Sequence, residues 1–522
     1  MTSETWWALS PLLAVTGAAV GIVSLLCVRR HHAATAALCA LGLAAALWLT
    51  GQSFSHPATP VRFNEHAPTL LSLDAPAAYM HTVLFAAAFA ITLFANDYFH
   101  RETPFEHESP LSASPRPRVP ASSSSEEFYL LLLLATLGGA VLAAATHFVT
   151  LFLGLEILSV SLYAMIAYRP DRPVSVEGAM KYLVLTGVAS AVLLFGMALL
   201  YAQCGTMDLS RLTAAMPSAG IDATYMTQAG LAMMLVGIGF KLAWAPLHLW
   251  AGEVFRAAPT PATAAIATVS KGAVFAMFLR VFTNLHHAQH EGVTVGLTLL
   301  AGLSMCVGNL LALRENRLKK LLAYSSVANL GYLLTAFLTG QAWPGREEPA
   351  LAAQAAWFYL PAYFAALLGA LGVISVLAND DHADAADGDA DHLSRYRGLF
   401  FRRPVLACVL TLMLLSLGGL PLTGGFVGKF LIAWAGLNAG LWTLATLLVL
   451  NSAVSLYYYL RIAAALFSRD ADVPPASESP SNNIRLTAIV ALLGLTLIVL
   501  ALGLHPGPII EFIRQTVSFR GD

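Results

Sequence analysis

The feature that most constrains this chain is a recurring apolar run of about 20 residues, the length a helix needs to cross a bilayer's hydrocarbon. Fourteen such segments are legible, roughly at 8–28, 33–51, 77–96, 127–145, 147–168, 176–202, 226–256, 260–284, 292–313, 318–339, 351–378, 404–440, 442–467 and 484–504. The seventh and twelfth are over-long and interrupted by Pro246 and Pro421. Without water to satisfy backbone groups, only helices and closed barrels span a membrane, and runs of this length specify helices. Hydrophobic residues make up 57% of the 522 and charged residues 11%. Almost nothing remains for a soluble domain, so an all-α polytopic membrane protein is expected, with its function inside the bilayer.

Several chemistries are absent from the sequence. The five cysteines (Cys27, Cys39, Cys204, Cys306, Cys408) are scattered and form no C-x-x-C pair, which argues against an iron–sulfur cluster, a c-type haem or a structural zinc site. No GxGxxG unit follows a strand, and "GGFVGKF" lacks the spacing and the Ser/Thr of a phosphate loop. No cofactor or metal is expected in this chain, and no nucleic-acid partner. The N-terminus lacks the positive start of a cleaved signal, because Arg29 and Arg30 follow the first apolar run.

Lys and Arg divide unequally between alternate loops, which sets the orientation. One side holds 18: Arg29, Arg30, Arg101, Arg116, Arg118, Arg169, Arg172, Arg256, Arg314, Arg317, Lys319, Lys320, Arg395, Arg397, Arg402, Arg403, Arg469 and Arg485. The other holds six: Arg62, Arg211, Arg280, Arg346, Arg514 and Arg520. The basic side is expected to be cytoplasmic, with both termini outside, as an even helix number requires. Two loops depart from a minimal bundle. Residues 99–126, with "SPLSASPRPRVPASSSS" at their centre, read as a flexible segment. Residues 379–394, "NDDHADAADGDADHLS", fit no calcium-loop spacing and read as a solvated acidic linker.

Five of the 29 basic residues remain, inside apolar segments or at their edges: Lys181, Lys241, Lys271, Lys429 and Arg461. A charge at the bilayer centre costs about 2.5–3.5 kcal/mol on insertion scales, and it usually faces a bundle interior or a hydrated cavity. Lys181 lies close to a loop and can snorkel, as can Arg461, and Arg280 near the outer face reads as an anchor. Lys241, Lys271 and Lys429 sit too deep for that. Glu156, in "LFLGLEILSVSLY", is their acidic counterpart. Lysine suits proton transfer because burial disfavours the ammonium while a nearby carboxylate restores it. Arginine stays protonated. A Glu156–Lys241 pair whose separation changes would therefore act as a proton switch. His248 is a further candidate, since imidazole titrates near neutrality, although a packing role suits it equally. His286, His287 and His290 read as outer-loop surface residues, and Ser325, Ser326 and Tyr324 as groups that hold water.

The breaks have a use in this reading. Pro246 removes a backbone hydrogen bond, and irregular backbone at membrane depth is tolerated where it is protein-buried or lines a cavity. "LSLGGLPLTGGFVGKF" (415–430) repeats the device with Pro421 and Lys429. Two interrupted helices in corresponding places point to the internal repeat of a transporter. "ILSVSLYAM" (157–165) echoes "YSSVANLGYLL" (324–334), but the tenth segment offers Asn329 and no Glu. The implied divisions are a three-helix segment with the Ser/Pro-rich loop (1–126), a first five-helix repeat (127–284), a second (285–467), and a final loop and helix (468–522).

Four stretches carry a resemblance: "VEGAMKYLVLTGVASAVLLFGMALLY", "FKLAWAPLHLWAGEVFRAAPTPATAAIATVSKGAVFAMFLRVF", "NLLALRENRLKKLLAYSSVANLGYLL" and "GGFVGKFLIAWAGLNAGLWTLATLLVLNSAVSLYYYLRI". Over about residues 127–467 the chain resembles the antiporter-like membrane subunits of proton-pumping NADH:quinone oxidoreductase, respiratory complex I. Fourteen helices without an added lateral helix suit the subunit N branch. The resemblance implies two inverted five-helix repeats with broken helices seven and twelve. It also implies a proton relay through Glu156, Lys241, Lys271 and Lys429, with Lys429 as the outlet group; His248 and Lys181 are secondary candidates from the residues alone. Flavin, iron–sulfur clusters and quinone would belong to partner subunits, namely the other membrane subunits and the peripheral NADH-oxidising arm, in a bacterial inner membrane. The competing reading is a subunit of a multi-subunit Na+/H+ (Mrp-type) antiporter, which shares the fold and much of the lysine set.

The charge asymmetry yields a direct test. Single cysteines placed in the 314–320 loop of a cysteine-free chain are expected to resist a membrane-impermeant thiol reagent in intact cells. Labelling from outside would reverse the orientation.

Overall fold

The computed structural model describes residues 3–54, 59–62, 67–100, 125–216, 221–284, 291–341, 349–378, 389, 391–468 and 485–516. Among them, thirteen helices are long and apolar enough to cross a membrane. The fourteenth crossing is built from two shorter helices, Pro404–Gly418 and Gly424–Asn438, on either side of Pro421. Every segment read from the apolar pattern is helical. The seventh is divided as expected, into Ile221–Leu242 and Leu249–Ala257. A third irregularity lies outside the sequence reading. The eighth span runs from Thr260–Ala265 through a π-helical turn, Ile266–Ser270, into Lys271–Asn284. A π-turn keeps every residue helical in character, so an apolar pattern gives no sign of it.

Burial is uneven and organises the molecule. Thr260–Thr283, Leu318–Gly340 and Gln354–Ala378 are almost wholly enclosed by other helices, whereas the first two and the last span expose most of their surface. Enclosed helices can carry polar side chains that would be costly against lipid. Two elements lie outside the helix pattern. Strand Thr59–Val61 pairs antiparallel with Leu71–Leu73 over one end of the bundle, and an amphipathic helix, Gly507–Thr516, follows the last span with Phe512 edge-on to Phe54 at 5.2 Å.

Several loop readings change. The segment 379–394 is not simply a solvated linker: Asp389 and Asp391 are buried, while 379–388 and 390 lie outside the described residues. Composition identifies an acidic run but not the distant cations its members meet. Lys319, counted with the loop cations, is likewise buried. Arg280 is more than an anchor, forming a two-pronged ion pair with Asp74 at 2.7 and 2.9 Å and donating to the Ala143 carbonyl. Burial would raise the Asp74 pKa, but the Arg280 guanidinium outweighs it and holds the carboxyl below its usual value. Arg461 donates to the Leu313 and Glu315 carbonyls at the end of helix Glu291–Arg314, a favourable place for a cation. Most of the 99–126 loop, together with His286, His287 and His290, falls outside the described residues.

Helices cross closely where glycine leaves room. A Cβ on Gly308 would stand 2.7 Å from the Ala328 amide nitrogen and 2.8 Å from the Tyr324 carbonyl oxygen. Helices Glu291–Arg314 and Leu318–Gln341 therefore meet backbone to backbone there, as small residues allow in membranes. Gly308→Ala is expected to push the pair apart and lower the thermal unfolding midpoint in detergent. Gly296→Ala, in the same helix with nothing within 4 Å, should leave the midpoint unchanged or raise it, since Ala is favoured over Gly by roughly 0.5–1 kcal/mol in a helix. Equal midpoints for the two variants would overturn the close crossing.

Candidate proton-relay site

Lys241 stands in the last turn of Ile221–Leu242, where the chain leaves helical geometry. Ala243 takes φ 58°, and the Ala243 and Trp244 amides bond back to the Phe240 and Gly239 carbonyls at 3.0 and 2.8 Å. Side chains from elsewhere meet further backbone groups of the break. Trp250 Nε1 donates to the Phe240 carbonyl at 2.9 Å, and Ser304 Oγ accepts the Ala245 N–H at 2.9 Å. These bonds satisfy backbone groups of the break within the protein, as membrane depth requires.

The Lys241 side chain is buried, and its Nζ donates to Ser159 Oγ at 2.5 Å. Glu156 lies one turn before Ser159 on the helix Phe148–Ile166 and accepts a hydrogen bond from Ser190 Oγ at 2.8 Å. No ion pair within 4.0 Å joins Glu156 to Lys241 here, and each faces a serine hydroxyl instead. His248 opens the helix after the break. It is buried, and its Nδ1 has no hydrogen-bond partner. Lys181 lies apart from this group, on an exposed helix face, paired with Glu177 at 2.5 Å.

Lys271 follows the π-turn directly and is fully buried. Its Nζ donates to Ser326 Oγ, and the ammonium lies 5.3 Å from the centre of the Phe255 ring. Lys429 donates to the Leu417 and Gly418 carbonyls at 2.7 and 3.2 Å and to Ser452 Oγ at 3.3 Å, with the Tyr332 ring centre 5.2 Å away. Those carbonyls end the half-helix Pro404–Gly418, whose partial negative charge favours a cation. Gly419, at φ 85°, terminates that helix in a conformation that costs glycine little. Among the described residues, none of Lys241, Lys271 and Lys429 has a carboxylate within 4.0 Å; their partners are hydroxyls, carbonyls and aromatic faces.

The echo between 157–165 and 324–334 has a structural counterpart. Ser159 and Ser326 occupy matching places in it, and each accepts a bond from a buried lysine. Asn329, the neutral residue of the second half, accepts from Tyr359 Oη at 2.6 Å and donates to Ser325 Oγ at 3.1 Å. Nearby, Asn309 accepts from Tyr458 at 3.0 Å and donates to Tyr332 and Asn451 at 3.2 and 3.1 Å. Sequence reasoning singled out Ser325 and Ser326 as water-holding groups but missed Ser159, Ser190 and the tyrosine–asparagine network. Neutral polar residues are ordinary in such helices, and only their convergence distinguishes them.

Residues 145–455 match the family model described as NADH:quinone oxidoreductase/Mrp antiporter, TM. Proteins named NADH-quinone oxidoreductase subunit N are similar over nearly the full length. The one from Ectopseudomonas mendocina (strain ymp) is 40% identical, covering 98% of this chain and 97% of that protein. The one from Methylococcus capsulatus (strain ATCC 33009 / NCIMB 11132 / Bath) is 39% identical over 98% and 95%. Among solved structures, a chain of respiratory complex I from Thermus thermophilus with bound aureothin superposes with a TM-score of 0.73 at 31% identity, covering 96% of this chain and 98% of that one. A chain of the Mrp complex from Dietzia sp. DQ12-45-1b superposes with a TM-score of 0.79 at 20% identity, covering 99% and 97%, and so shares the fold alone. With the fold, the two broken helices and these relatives in agreement, the chain belongs to the NADH:quinone oxidoreductase/Mrp antiporter membrane family, among the NADH-quinone oxidoreductase subunit N proteins.

Proposed function

We propose that this chain is the antiporter-like, proton-translocating subunit of a bacterial inner-membrane NADH:quinone oxidoreductase, in the manner of its subunit N relatives. Electron transfer from NADH to quinone takes place in partner subunits, which hold the flavin, iron–sulfur clusters and quinone. This chain moves protons through Glu156, Lys241, Lys271 and Lys429, with His248 as an added station and Lys181 outside the path. The working units are the two five-helix repeats, 127–284 and 285–467, flanked by 1–126 and 468–522, with both termini outside.

One observation carries the reading: three ammonium groups are buried in membrane helices on neutral partners. A structural cation at this depth gains most from a carboxylate. A serine hydroxyl offers something different. It accepts a hydrogen bond from the ammonium, and after the proton leaves it can rotate and donate to the neutral amine. The partner therefore survives the change of charge on which a relay depends. Glu156, one turn from Ser159, can approach or withdraw and so shift the balance at Lys241.

Lys241→Ala removes the titrating site, while Lys241→Arg keeps the charge but cannot release the proton. Both variants are expected to lose most quinone-coupled proton pumping in membrane vesicles, normalised to assembled complex. A structural ion pair predicts a different ranking, with Arg near the parent and Ala poorly assembled; that outcome would end the relay account. The division of labour has its own check. The complex purified in mild detergent should contain flavin and iron–sulfur subunits, while the isolated chain should bind neither flavin nor iron. Stoichiometric flavin or iron on the isolated chain would contradict the proposal, and co-purification with cation/proton antiporter subunits instead would favour the Mrp-type alternative.

A further inference from the structure

Asp389, from the segment that composition reads as a solvated linker, is 3% exposed. Its carboxylate receives five donor contacts from four residues. Oδ1 accepts from Tyr98 Oη at 2.7 Å and Arg172 Nη1 at 2.7 Å. Oδ2 accepts from the Thr260 amide at 2.8 Å, Thr260 Oγ1 at 2.6 Å and Lys319 Nζ at 3.3 Å. Burial alone would raise this carboxyl's pKa, but Lys319 and Arg172 outweigh it and hold it well below the usual carboxylate range. It therefore remains an anion at physiological pH. Asp391 completes the clasp: its Oδ1 accepts the Lys319 amide at 2.5 Å, and its carbonyl accepts the Leu318 amide at 2.8 Å.

These contacts matter for where they fall. Thr260 is the first residue of the helix that leads through the π-turn to Lys271. Lys319 is the second residue of Leu318–Gln341, which carries Ser326. Asp389 thus caps the first amide of one helix and holds the Lys319 side chain at the start of the other, whose Leu318 and Lys319 amides bond Asp391 two residues on. At about 1.5 Å of rise per residue, Lys271 lies roughly 16 Å beyond its grip point and Ser326 roughly 10 Å beyond its own. Lys319 Nζ also donates to the Ala258 carbonyl at 2.6 Å, tying the chain just after the seventh helix's second half to the same point. Sliding either helix along its axis would stretch the Asp389 contacts and part Lys271 from Ser326 together.

We propose that Asp389 is a positioning residue for proton transfer at Lys271, fixing the axial register between the helix that bears Lys271 and the helix that bears Ser326. The proposal rests on the relay reading given above and adds that Asp389, between the eleventh and twelfth spans, sets the geometry of its central step. Asp389→Asn keeps the size of the side chain and an acceptor for Thr260, but it removes the charge that holds Lys319 and Arg172.

The test is a double-mutant cycle in the assembled complex, reading protons pumped per electron transferred in vesicles. Asp389→Asn and Ser326→Ala are each expected to lower that ratio severalfold at unchanged complex content, and the double variant to be no worse than the poorer single. Asp389→Glu should restore part of the loss. Contacting residues couple and independent ones add, so additive losses would overturn the proposal, as would an Asp389→Asn complex that pumps like the parent. Should Asp389→Asn fail to assemble, Thr260→Val, which deletes one Oγ1 bond and spares the backbone bond, takes its place: coupling to Ser326→Ala supports the proposal, and additive losses overturn it. Lys271→Ala run alongside separates the readings. If it pumps normally the relay fails at Lys271, whereas if it loses pumping while Asp389 and Ser326 act additively, only the positioning role is lost.

Discussion

The structure depends on the cost of an ammonium ion in hydrocarbon. A charged side chain at membrane depth must be enclosed and supplied with acceptors. In a helix the backbone carbonyls are already committed to the chain's own amides. Lys241, Lys271 and Lys429 accordingly each sit beside a departure from regular helix or face a hydroxyl. Lys241 lies at the break before Pro246, Lys271 immediately after a π-turn, and Lys429 against the freed carbonyls that end Pro404–Gly418. The irregular backbone and the buried cations are two aspects of one arrangement. The most enclosed spans, Thr260–Thr283 and Leu318–Gly340, carry Lys271 and the serine that receives it.

The charges divide into two groups by their partners. Near the helix ends, cations meet carboxylates or exposed carbonyls: Arg280 with Asp74, Arg172 and Lys319 with Asp389, Arg461 with the end of helix Glu291–Arg314. These contacts hold fixed charges in fixed places and brace the bundle. Deep within the spans the pattern changes, and the lysines rest on serines, carbonyls and aromatic rings. A carboxylate fixes a cation, while a hydroxyl tolerates either charge state. The contrast divides one set of basic residues by the kind of partner each meets.

The two repeats are alike in backbone and unlike in chemistry. Both have a broken helix with a lysine near the break, and both bring a serine at the echoed position to a buried lysine. Only the first half places a carboxylate, Glu156, one turn from that serine. In the second half the residue three before Ser326 is Ala323, and Asn329, three residues after it, joins a tyrosine and serine network. A neutral network can pass protons through hydroxyls and bound water but cannot change the charge beside its lysine. Glu156 is half-buried at the edge of the bundle, next to exposed Leu153 and Val160.

The sequence by itself determined the number and nature of the spans, the places where two of them break, and the burial of Lys241, Lys271 and Lys429. Hydrocarbon thickness fixes helix length, proline disrupts a helix wherever it falls, and a charge inside an apolar run stands out without reference to anything else. Its long motifs also resemble their family without any geometry. Only the tertiary structure decided what each charge touches. Ser159 and Lys241 are 82 residues apart, Lys271 and Ser326 are 55, and Arg172 and Asp389 are 217. None of those pairings leaves a periodic or compositional trace. The π-turn before Lys271 and the burial of Asp389 belong to the same class, because they depend on how helices settle against one another. Local pattern reports what a segment needs from its surroundings, and only packing decides which distant residue supplies it.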